Sequence, residues 1–273
     1  MPSNRRILPG FHLSIGVAIT YLSVMLVVPL IVCLMEVSKL SPTQFHNAVW
    51  TERTRAAYYV TLTTSFYAAA IDVVLGLLLA WVLVRYEFPF KRIFDSLVDL
   101  PFALPTAVAG LVYSSLYVAN GWYGQFLVPM GIKVDNTNLG IVVVLIFIGL
   151  PFVVRTLQPV LESMDADVEE AAASMGANRT QIFFRVLLPP LAPAMWTGFA
   201  LTFARALGEY GSVVFIAANK QYESEIVPVL IVSRIDEPAL TEATAVAMVM
   251  LLMSFCLLML INYLEWRSAR YAH

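Results

Sequence analysis

The residues best able to do chemistry in this sequence are three charges inside apolar stretches, namely Asp72, Arg205 and Glu209. An ionisable group at membrane depth is costly and usually faces protein or water. Arg205 and Glu209 are four residues apart, so on a helix they share one face and can pair directly. Two roles stay open for the pair. It lines a polar path, where the arginine attracts a dianion and the glutamate keeps binding weak enough for release, or it is a structural ion pair that locks one helix against a neighbour.

Small and polar residues extend the same helix face around this pair. The stripe at helical spacing consists of Gly198, Thr202, Arg205, Glu209 and Ser212. Such a stripe within an apolar helix suits a translocation path. Asp72 has no partner within one turn of its own helix, so we expect either a contact with Arg205 across the bundle or a protonated carboxyl. The candidate pathway residues are therefore Thr202, Arg205, Glu209, Ser212 and Asp72, and for Asp72 a structural role competes with the functional one.

Motifs for catalysis and for metal or nucleotide binding are absent from the sequence. It contains no Gly-x4-Gly-Lys-Ser/Thr phosphate-binding loop, no His-Glu-x-x-His and no Gly-x-Ser-x-Gly. Cys33 and Cys256 fall in apolar runs, where we predict small buried side chains and no disulfide or metal pair. A net charge of −2 and a pI near 5.9 provide no basic surface for nucleic acid. We therefore predict neither an enzyme nor a metal site.

The elements that position these residues are long apolar helices. Hydrophobic residues make up 59% of the chain and charged residues 13%, with a mean hydropathy of +0.76, whereas a soluble domain carries about 25% charge. About 20 apolar residues cross a membrane as a helix. Hydropathy predicts six spans, at 13–35, 58–84, 99–119, 138–155, 194–217 and 243–264. The predicted fold class is all-α: a polytopic integral membrane protein of about six transmembrane helices.

Positive charge is divided unevenly between the two sides of these spans. One set of connecting segments holds ten of the 17 lysines and arginines, the opposite set holds six, and Arg205 lies within a span. The richer side is predicted to be cytoplasmic. The first apolar run, after Arg5 and Arg6, is predicted to be a retained span. Trp122 and Tyr123 fall where an outer aromatic belt would form. We expect a multi-pass protein with both termini in the cytoplasm.

The cytoplasmic segment that joins the fourth and fifth spans differs from the rest of the chain. Ser163 is predicted to cap a helix that begins with acidic residues and continues through three alanines. Gly176 then fits a left-handed helix stop. Asn178 and Gln181 form a capping box for a second short helix, which Pro189-Pro190 ends. The prediction is a helix–glycine–helix hairpin, acidic outside. Its apolar stripe consists of Val168, Ala172 and Met175.

Residue order within this hairpin follows a recognisable pattern. Glu170-Ala171-Ala172 is followed by three residues, Gly176, nine residues and then Val186-Leu187-Leu188-Pro189. This order resembles the EAA loop of type I ATP-binding-cassette (ABC) importer permeases, with valine where isoleucine is usual. The resemblance implies that the hairpin docks on a separate ATPase subunit and transmits its closure to the spans. The implied coupling residues are Glu169, Glu170, Ala171, Ala172, Gly176, Val186, Leu188 and Pro189. A membrane-surface hairpin is the alternative, but such helices favour Lys and Arg over acids.

Four further segments, Arg6–Phe11, Asp99–Gly110, Pro151–Arg155 and Ala206–Gly211, are spread over nearly the whole chain. Together they resemble the T-type permease subunit of sulfate importers. The resemblance implies a type I ABC importer permease fold in the bacterial inner membrane, and translocation of sulfate, with thiosulfate as a second candidate. A molybdate or tungstate ABC permease, which shares parts of these motifs, is one alternative. A proton-coupled secondary anion transporter, with Asp72 and Glu209 as a relay, is another.

The same resemblance implies partners. They are two ATPase subunits that bind ATP and Mg, a homologous W-type permease subunit, a periplasmic sulfate- or thiosulfate-binding protein, and membrane lipid. This chain itself is expected to hold no cofactor, to be no enzyme and to bind no nucleic acid.

The chain is predicted to divide into three parts. Residues 1–57 form an N-terminal cytoplasmic tail, the first transmembrane helix and an outer loop. Residues 58–264 form the type I transmembrane domain, with five helices and the EAA loop at about 163–190, and residues 265–273 form a cytoplasmic tail. Pro101 and Pro105 each remove a backbone donor at the start of the third span. A loosened helix end of this kind suits a gate, although an ordinary helix start explains Pro101 as well.

Overall fold

A computed structural model describes residues 11–270 of the chain, with side chains described for 13–263 apart from Ala166. Within these residues every regular element is helical. The α-helices are α1 Phe11–Leu22, α2 Val28–Val37, α3 Pro42–Val49, α4 Glu52–Arg85, α5 Lys91–Val98, α6 Leu100–Ala103, α7 Thr106–Tyr117, α8 Gly124–Leu127, α9 Asn138–Glu162, α10 Ala166–Ser174, α11 Arg179–Gln181, α12 Leu188–Leu207, α13 Val213–Ile216, α14 Val227–Asp236 and α15 Leu240–Arg270. Two π-helical segments, Ser23–Val27 and Ile182–Leu187, and a 3₁₀ turn, Val128–Met130, lie between them. Arg5 and residues 6–10 of the Arg6–Phe11 motif lie outside the described residues.

In the described part of the chain, five helices are long and apolar enough to cross a membrane. They are Leu13–Val37, Glu52–Arg85, Asn138–Glu162, Arg179–Leu207 and Leu240–Tyr263. These five match the first, second, fourth, fifth and sixth predicted spans in order, although several boundaries differ. The polytopic all-α prediction is confirmed.

The third predicted span, 99–119, is not one continuous helix. It consists of α6, a break at Leu104 and Pro105, and α7. Leu104 has an extended backbone (ψ 132°) because a residue before proline is forced out of the helical region. Pro101 lies in the first turn of α6, where a missing donor is tolerated. Pro105 therefore breaks the segment while Pro101 only starts a helix, and α7, at 12 residues and about 18 Å, is too short to cross alone.

The fifth span begins earlier and ends earlier than predicted. Helical structure runs from Arg179 to Leu207, and Pro189-Pro190 does not end it. A π-helical segment precedes these prolines and shifts the hydrogen-bond register, so Pro189 falls in the first turn of α12. The predicted end at 217 is wrong, because Gly208 caps the helix and the chain turns before the short α13.

The core is formed where α4, α9 and α12 cross at close range. A Cβ atom placed on Gly76 of α4 would lie 2.6 Å from Val153 Cγ1 of α9, and one on Gly198 of α12 would lie 3.1 Å from Val153 Cα. Small residues of this kind let membrane helices approach closely. Near the first residue of α4, Arg53 donates to both carboxylate oxygens of Glu225, at 2.8 and 2.6 Å. The bundle thus has a tightly packed three-helix centre.

The first spanning helix and the cysteines lie outside this centre. None of the side chains of α2 is buried, and α2 packs on α15. Cys33 is half-buried and Cys256 is exposed, and neither forms a disulfide. The prediction of buried cysteines is therefore wrong, because an apolar residue on a spanning helix can face lipid as well as protein.

Candidate functional site

The predicted hairpin begins at α10, and two residues separate α10 from Ser163, the C-cap of α9. Asp165 occupies the N-cap position of α10, and Asp167 and Glu169 lie in its first turn, where the helix dipole favours acids. Ser163 does not cap α10, contrary to the prediction. Its hydroxyl instead donates to Val160 O at 2.8 Å, because Ser163 is still the C-cap of α9.

The turn of the hairpin has the predicted geometry. Gly176 has φ +86°, the left-handed conformation that glycine adopts without a Cβ clash. Ala177 N donates to Ala172 O at 3.1 Å, which closes the end of α10. Gln181 N donates to Asn178 Oδ1 at 2.8 Å and Asn178 N donates to Gln181 Oε1 at 2.9 Å, so the capping box is formed. Nothing lies within 4 Å of a Cβ placed on Gly176, so backbone conformation alone requires the glycine.

The outer surface of the hairpin combines acidic and apolar side chains. Glu170 is exposed, and so are Val168 and Met175, whereas Ala172 is buried against the rest of the chain. The predicted apolar stripe is therefore divided: Ala172 packs inward, while Val168 and Met175 remain open. Ala171 is exposed next to Glu170. An exposed surface of this composition is suited to contact with another protein.

The second arm of the hairpin is the start of a spanning helix. Val186 lies in the π-helical segment, and Leu188 and Pro189 begin α12. Leu188 is half-buried and helps line an apolar groove between α4, α12 and α15, whereas Pro189 is exposed. A movement of the hairpin is thereby connected directly to α12.

A second connection runs from the hairpin to α4, and sequence reasoning did not find it. Glu169 Oε1 lies 2.8 Å from an Arg85 guanidinium nitrogen, as an ion pair whose atoms are not aligned as a hydrogen bond. The Arg85 guanidinium also stacks on Trp81, with 5.6 Å to the ring centroid. Arg85 is the only charge in α4 after Asp72, a signal that could have pointed to an ion pair at the last turn of this helix.

Arg155 holds the broken third segment to α9. Its guanidinium donates to both carboxylate oxygens of Asp99, at 2.8 and 2.6 Å, to Asp95 Oδ1 at 2.6 Å and to Asp95 O at 2.8 Å. Gln158 Nε2 donates to Asp95 at 3.0 Å. The hydrogen bond from Gln158, and then that from Arg155, lower the pKa of Asp95, so this carboxylate stays charged at neutral pH. Two of the quoted motifs, Asp99–Gly110 and Pro151–Arg155, thus meet through a bidentate ion pair.

The other end of the Asp99–Gly110 motif contacts the Ala206–Gly211 motif. A Cβ placed on Gly110 of α7 would collide with the backbone of Ser212, and one placed on Gly211 would collide with the Thr106 hydroxyl. The turn after α12 therefore packs backbone to backbone against α7. Sequence proximity could not reveal this contact, since about 100 residues separate the two motifs.

The charged pair lies at the end of α12. Arg205 and Glu209 form an ion pair at 2.6 Å. Glu209 follows the last residue of α12 and is buried, and its second oxygen accepts hydrogen bonds from Ser212 N and Ser212 Oγ, both at 2.9 Å. Glu209 thus pairs with Arg205 from the turn after α12, and Ser212 binds Glu209 from the same turn. The three residues do not form one continuous helix face. The Arg205 side chain keeps about a third of its surface exposed.

Asp72 lies in the three-helix centre, away from Arg205. It is fully buried, and neither carboxylate oxygen has a hydrogen-bond partner among the described residues. A Cβ placed on Gly149 of α9 would collide with this carboxylate and with the Thr202 methyl group, and Thr202 Oγ1 donates to Gly149 O at 3.1 Å. Of the two environments expected for Asp72, the contact with Arg205 is not formed, and the guanidinium is paired with Glu209. Of the five candidate pathway residues, only Arg205 is accessible.

The described side chains also include no group of three or more His, Cys, Asp and Glu residues that could hold a metal ion.

Comparison with known proteins adds three findings. A family model described as "Binding-protein-dependent transport system inner membrane component" matches residues 72–269. The "Sulfate transport system permease protein CysT" of Salmonella typhimurium strain LT2 is 47% identical over 268 residues, which cover 98% of this chain and 97% of that protein. The protein of the same name from Synechocystis sp. is 46% identical over 257 residues, covering 94% and 90%.

Solved structures show the same fold at low identity. A bacterial ABC transporter that imports the acidic polysaccharide alginate aligns with a TM-score of 0.75 at 16% identity, covering 94% of both chains. An inward-facing MetNI methionine ABC transporter aligns with a TM-score of 0.58 at 19% identity, covering 86% of this chain and all of the other. The architecture of helices around the α4, α9 and α12 centre is therefore that of ABC importer permeases.

Proposed function

The chain belongs to the binding-protein-dependent transport system inner membrane components, and on this basis we propose that it is the T-type permease subunit of a sulfate importer. It is a multi-pass transport subunit of an ABC importer and not an enzyme. The observation that carries the sulfate assignment is the 47% identity, over 98% of the chain, to a sulfate transport permease. Thiosulfate, a tetrahedral dianion of similar charge, is the second substrate of the proposal.

The proposed assembly places this chain in the bacterial inner membrane with both termini in the cytoplasm. This orientation needs six crossings, so α6 and α7 together would form the third crossing beside the five long helices. The chain pairs with a homologous W-type permease, two ATPase subunits that hold ATP and Mg, and a periplasmic sulfate- or thiosulfate-binding protein. The uneven division of lysine and arginine supports this orientation. An alginate ABC transporter of the same fold is known in complex with its periplasmic protein, which supports a partner of that kind. Residues 58–264 would form the type I domain, preceded by a first span and followed by a short tail.

Coupling to the ATPase is proposed to pass through the hairpin. The exposed surface of Glu170, Val168 and Met175 would dock on the ATPase. Closure of the ATPase would then move α12 through its continuous first turns, and α4 through the Glu169–Arg85 ion pair. The left-handed Gly176 sets the angle between the two arms of the hairpin.

The anion path is proposed to pass Arg205, whose side chain is about a third exposed and carries the positive charge that attracts a dianion. Glu209 pairs with the same guanidinium, so the attraction stays weak enough for release. Glu209, Ser212, Thr202 and Asp72 would support this position from within the protein, since all four are buried. The break at Pro105 lies beside Gly211 through Thr106, which is where a gate would act on this path.

Reconstitution tests the proposal. The four-component complex in vesicles should take up radiolabelled sulfate only when ATP and the binding protein are present. Excess thiosulfate should compete, whereas molybdate should compete weakly. Efficient inhibition by molybdate or tungstate would move the assignment to that class of oxyanion. Uptake by the chain alone, driven by a proton gradient without ATP, would support the secondary-transporter alternative instead.

A further inference from the structure

Helix α5, Lys91–Val98, has an exposed apolar face although it is not one of the spanning helices. Phe90, Ile93, Phe94 and Leu97 are each more than half exposed. Within the helix, the spacing of Ile93, Phe94 and Leu97 places them on one side, whereas Phe90 is the left-handed N-cap that precedes the first turn. With eight residues, three of them charged, α5 cannot cross a membrane. The exposure of these four side chains therefore has to be explained by something other than a transmembrane position.

The orientation of α5 is fixed by the residues on its inner side. Val98 is buried, and Asp95 and the adjoining Asp99 are both bound to Arg155 of α9. With this side attached to the protein, the apolar face points away from the described part of the chain. It is continued along the chain by Leu100 and Phe102, which are also exposed.

The same attachment fixes the depth of α5. Arg155 is 17 residues after Asn138, the first residue of α9, which corresponds to about 25 Å along the helix. The hydrocarbon core of a bilayer is about 30 Å thick. This inference rests on the orientation proposed above: with Asn138 at the outer boundary, Arg155, and with it α5, lies near the inner boundary of the hydrocarbon. Helix α5 also starts only six residues after Arg85, the last residue of α4.

The far side of α5 is polar. Arg92 and Ser96 are exposed on the side of the helix away from Leu97. Arg92 forms no ion pair among the described residues. A short helix with an aromatic apolar face and an available arginine opposite matches the chemistry of the zone where acyl chains meet phosphate head groups.

We propose that α5 is an interfacial helix whose apolar face is inserted among the acyl chains of the inner leaflet, with Arg92 at the level of the lipid phosphates. The occupant of this face is bilayer lipid and not a partner subunit, because the face lies at the hydrocarbon boundary and adjoins the ends of spanning helices. Through the Arg155 clamp, the lipid contact also sets the position of α6 and of the break at Pro105.

Single-cysteine labelling tests this proposal on the whole transporter. Cys33 and Cys256 are replaced by alanine, and Phe94→Cys and Ser96→Cys, on opposite sides of α5, are labelled with the environment-sensitive fluorophore NBD. The assembled complex in nanodiscs is then exposed to lipids brominated on the acyl chains and, separately, to iodide in the buffer. Leu26→Cys, in the middle of the first span, is the lipid-exposed control.

The label at position 94 should be quenched by brominated lipid about threefold more than the label at 96, with the reverse order for iodide. Leu97→Cys, on the same face, should repeat the result at position 94, so a disturbance at one labelled site does not decide the outcome. Equal quenching at 94 and 96 would overturn the proposal. Protection of the labels at 94 and 97 from both bromine and iodide would also overturn it, since a partner subunit would then cover the face.

Discussion

The hairpin around Gly176 and the three-helix centre each depend on a glycine, but for opposite physical reasons. At Gly176 the backbone is left-handed and the space around a Cβ is empty. At Gly149 the backbone is an ordinary helix, and a Cβ would collide with Asp72 and Thr202. At Gly176 there is room for a larger side chain, but the backbone conformation disfavours any residue with a Cβ. At Gly149 the backbone conformation suits any residue, but there is no room for a larger side chain. An exposed turn and a closely packed core are thus distinguishable at the level of single residues.

Gly149→Val should have the largest effect. Overpacking a core by even a few atoms costs about 1–3 kcal/mol, and here three helices have to separate. We expect the amount of folded protein in the membrane to fall at least about tenfold, measured by fluorescence-detected size exclusion. Gly16→Val, where nothing lies within 4 Å of a Cβ, is the control and should accumulate normally. Normal accumulation of Gly149→Val would show that the centre is not closely packed.

The Gly176→Val variant should accumulate in the membrane at a normal level but lose transport. The left-handed conformation costs a Cβ-bearing residue about 1–2 kcal/mol, which corresponds to a factor of about 5–30 in the population of the native hairpin. Sulfate uptake and ATPase assembly are measured in membranes matched for permease content, and both should fall by about that factor.

Gly131→Val is the matched control for this change. Gly131 has φ +81° and equally open surroundings, but it lies in the loop between the 3₁₀ turn and α9, away from the hairpin. It should have the same local cost and keep transport. Full uptake by Gly176→Val would mean that the hairpin is not the coupling element.

Arg155→Lys tests whether the broken third segment behaves like the hairpin or like the core. A lysine keeps the charge but cannot hold Asp99 through two parallel hydrogen bonds. We expect uptake to fall about threefold to tenfold with little change in thermal midpoint, since both carboxylates remain hydrated at the surface. A large drop in thermal midpoint would instead show that the contacts of Arg155 stabilise the fold, as the packing of the three-helix centre does.

The smallest expected effect belongs to the Glu169–Arg85 ion pair. Such a pair near the surface contributes about 0.2–1 kcal/mol, so Glu169→Arg alone should lower uptake about two- to fivefold at unchanged ATPase assembly. The double variant Glu169→Arg with Arg85→Glu should restore part of the loss. If uptake by the double variant is no higher than the losses of the two single variants together predict, the contact does not transmit hairpin movement to α4.

Local sequence rules predicted the turn of the hairpin better than they predicted the contacts within the three-helix centre. The left-handed Gly176 and the Asn178–Gln181 capping box were predicted correctly, because both depend on residues within a few positions of each other. The end of the second arm was predicted wrongly, since a π-helical segment accommodates Pro189 in a way that local proline rules do not anticipate. The pairing of Arg205 with Glu209 follows from their spacing in the sequence, whereas the sequence left two environments open for Asp72, and its contact with Arg205 is not formed.

Sequence by itself determined the membrane class, five of the spans and the hairpin, because hydropathy over about 20 residues and capping geometry are local properties. It also indicated the family, because the motifs are recognised by the order and spacing of residues along the chain. Only the tertiary structure decided which side chains are accessible: Arg205 is, and Asp72, Thr202, Glu209 and Ser212 are buried. Likewise, only the fold joined Asp99 to Arg155 and Gly110 to Ser212. These contacts depend on how helices distant in sequence cross, and that is settled by packing across the whole bundle.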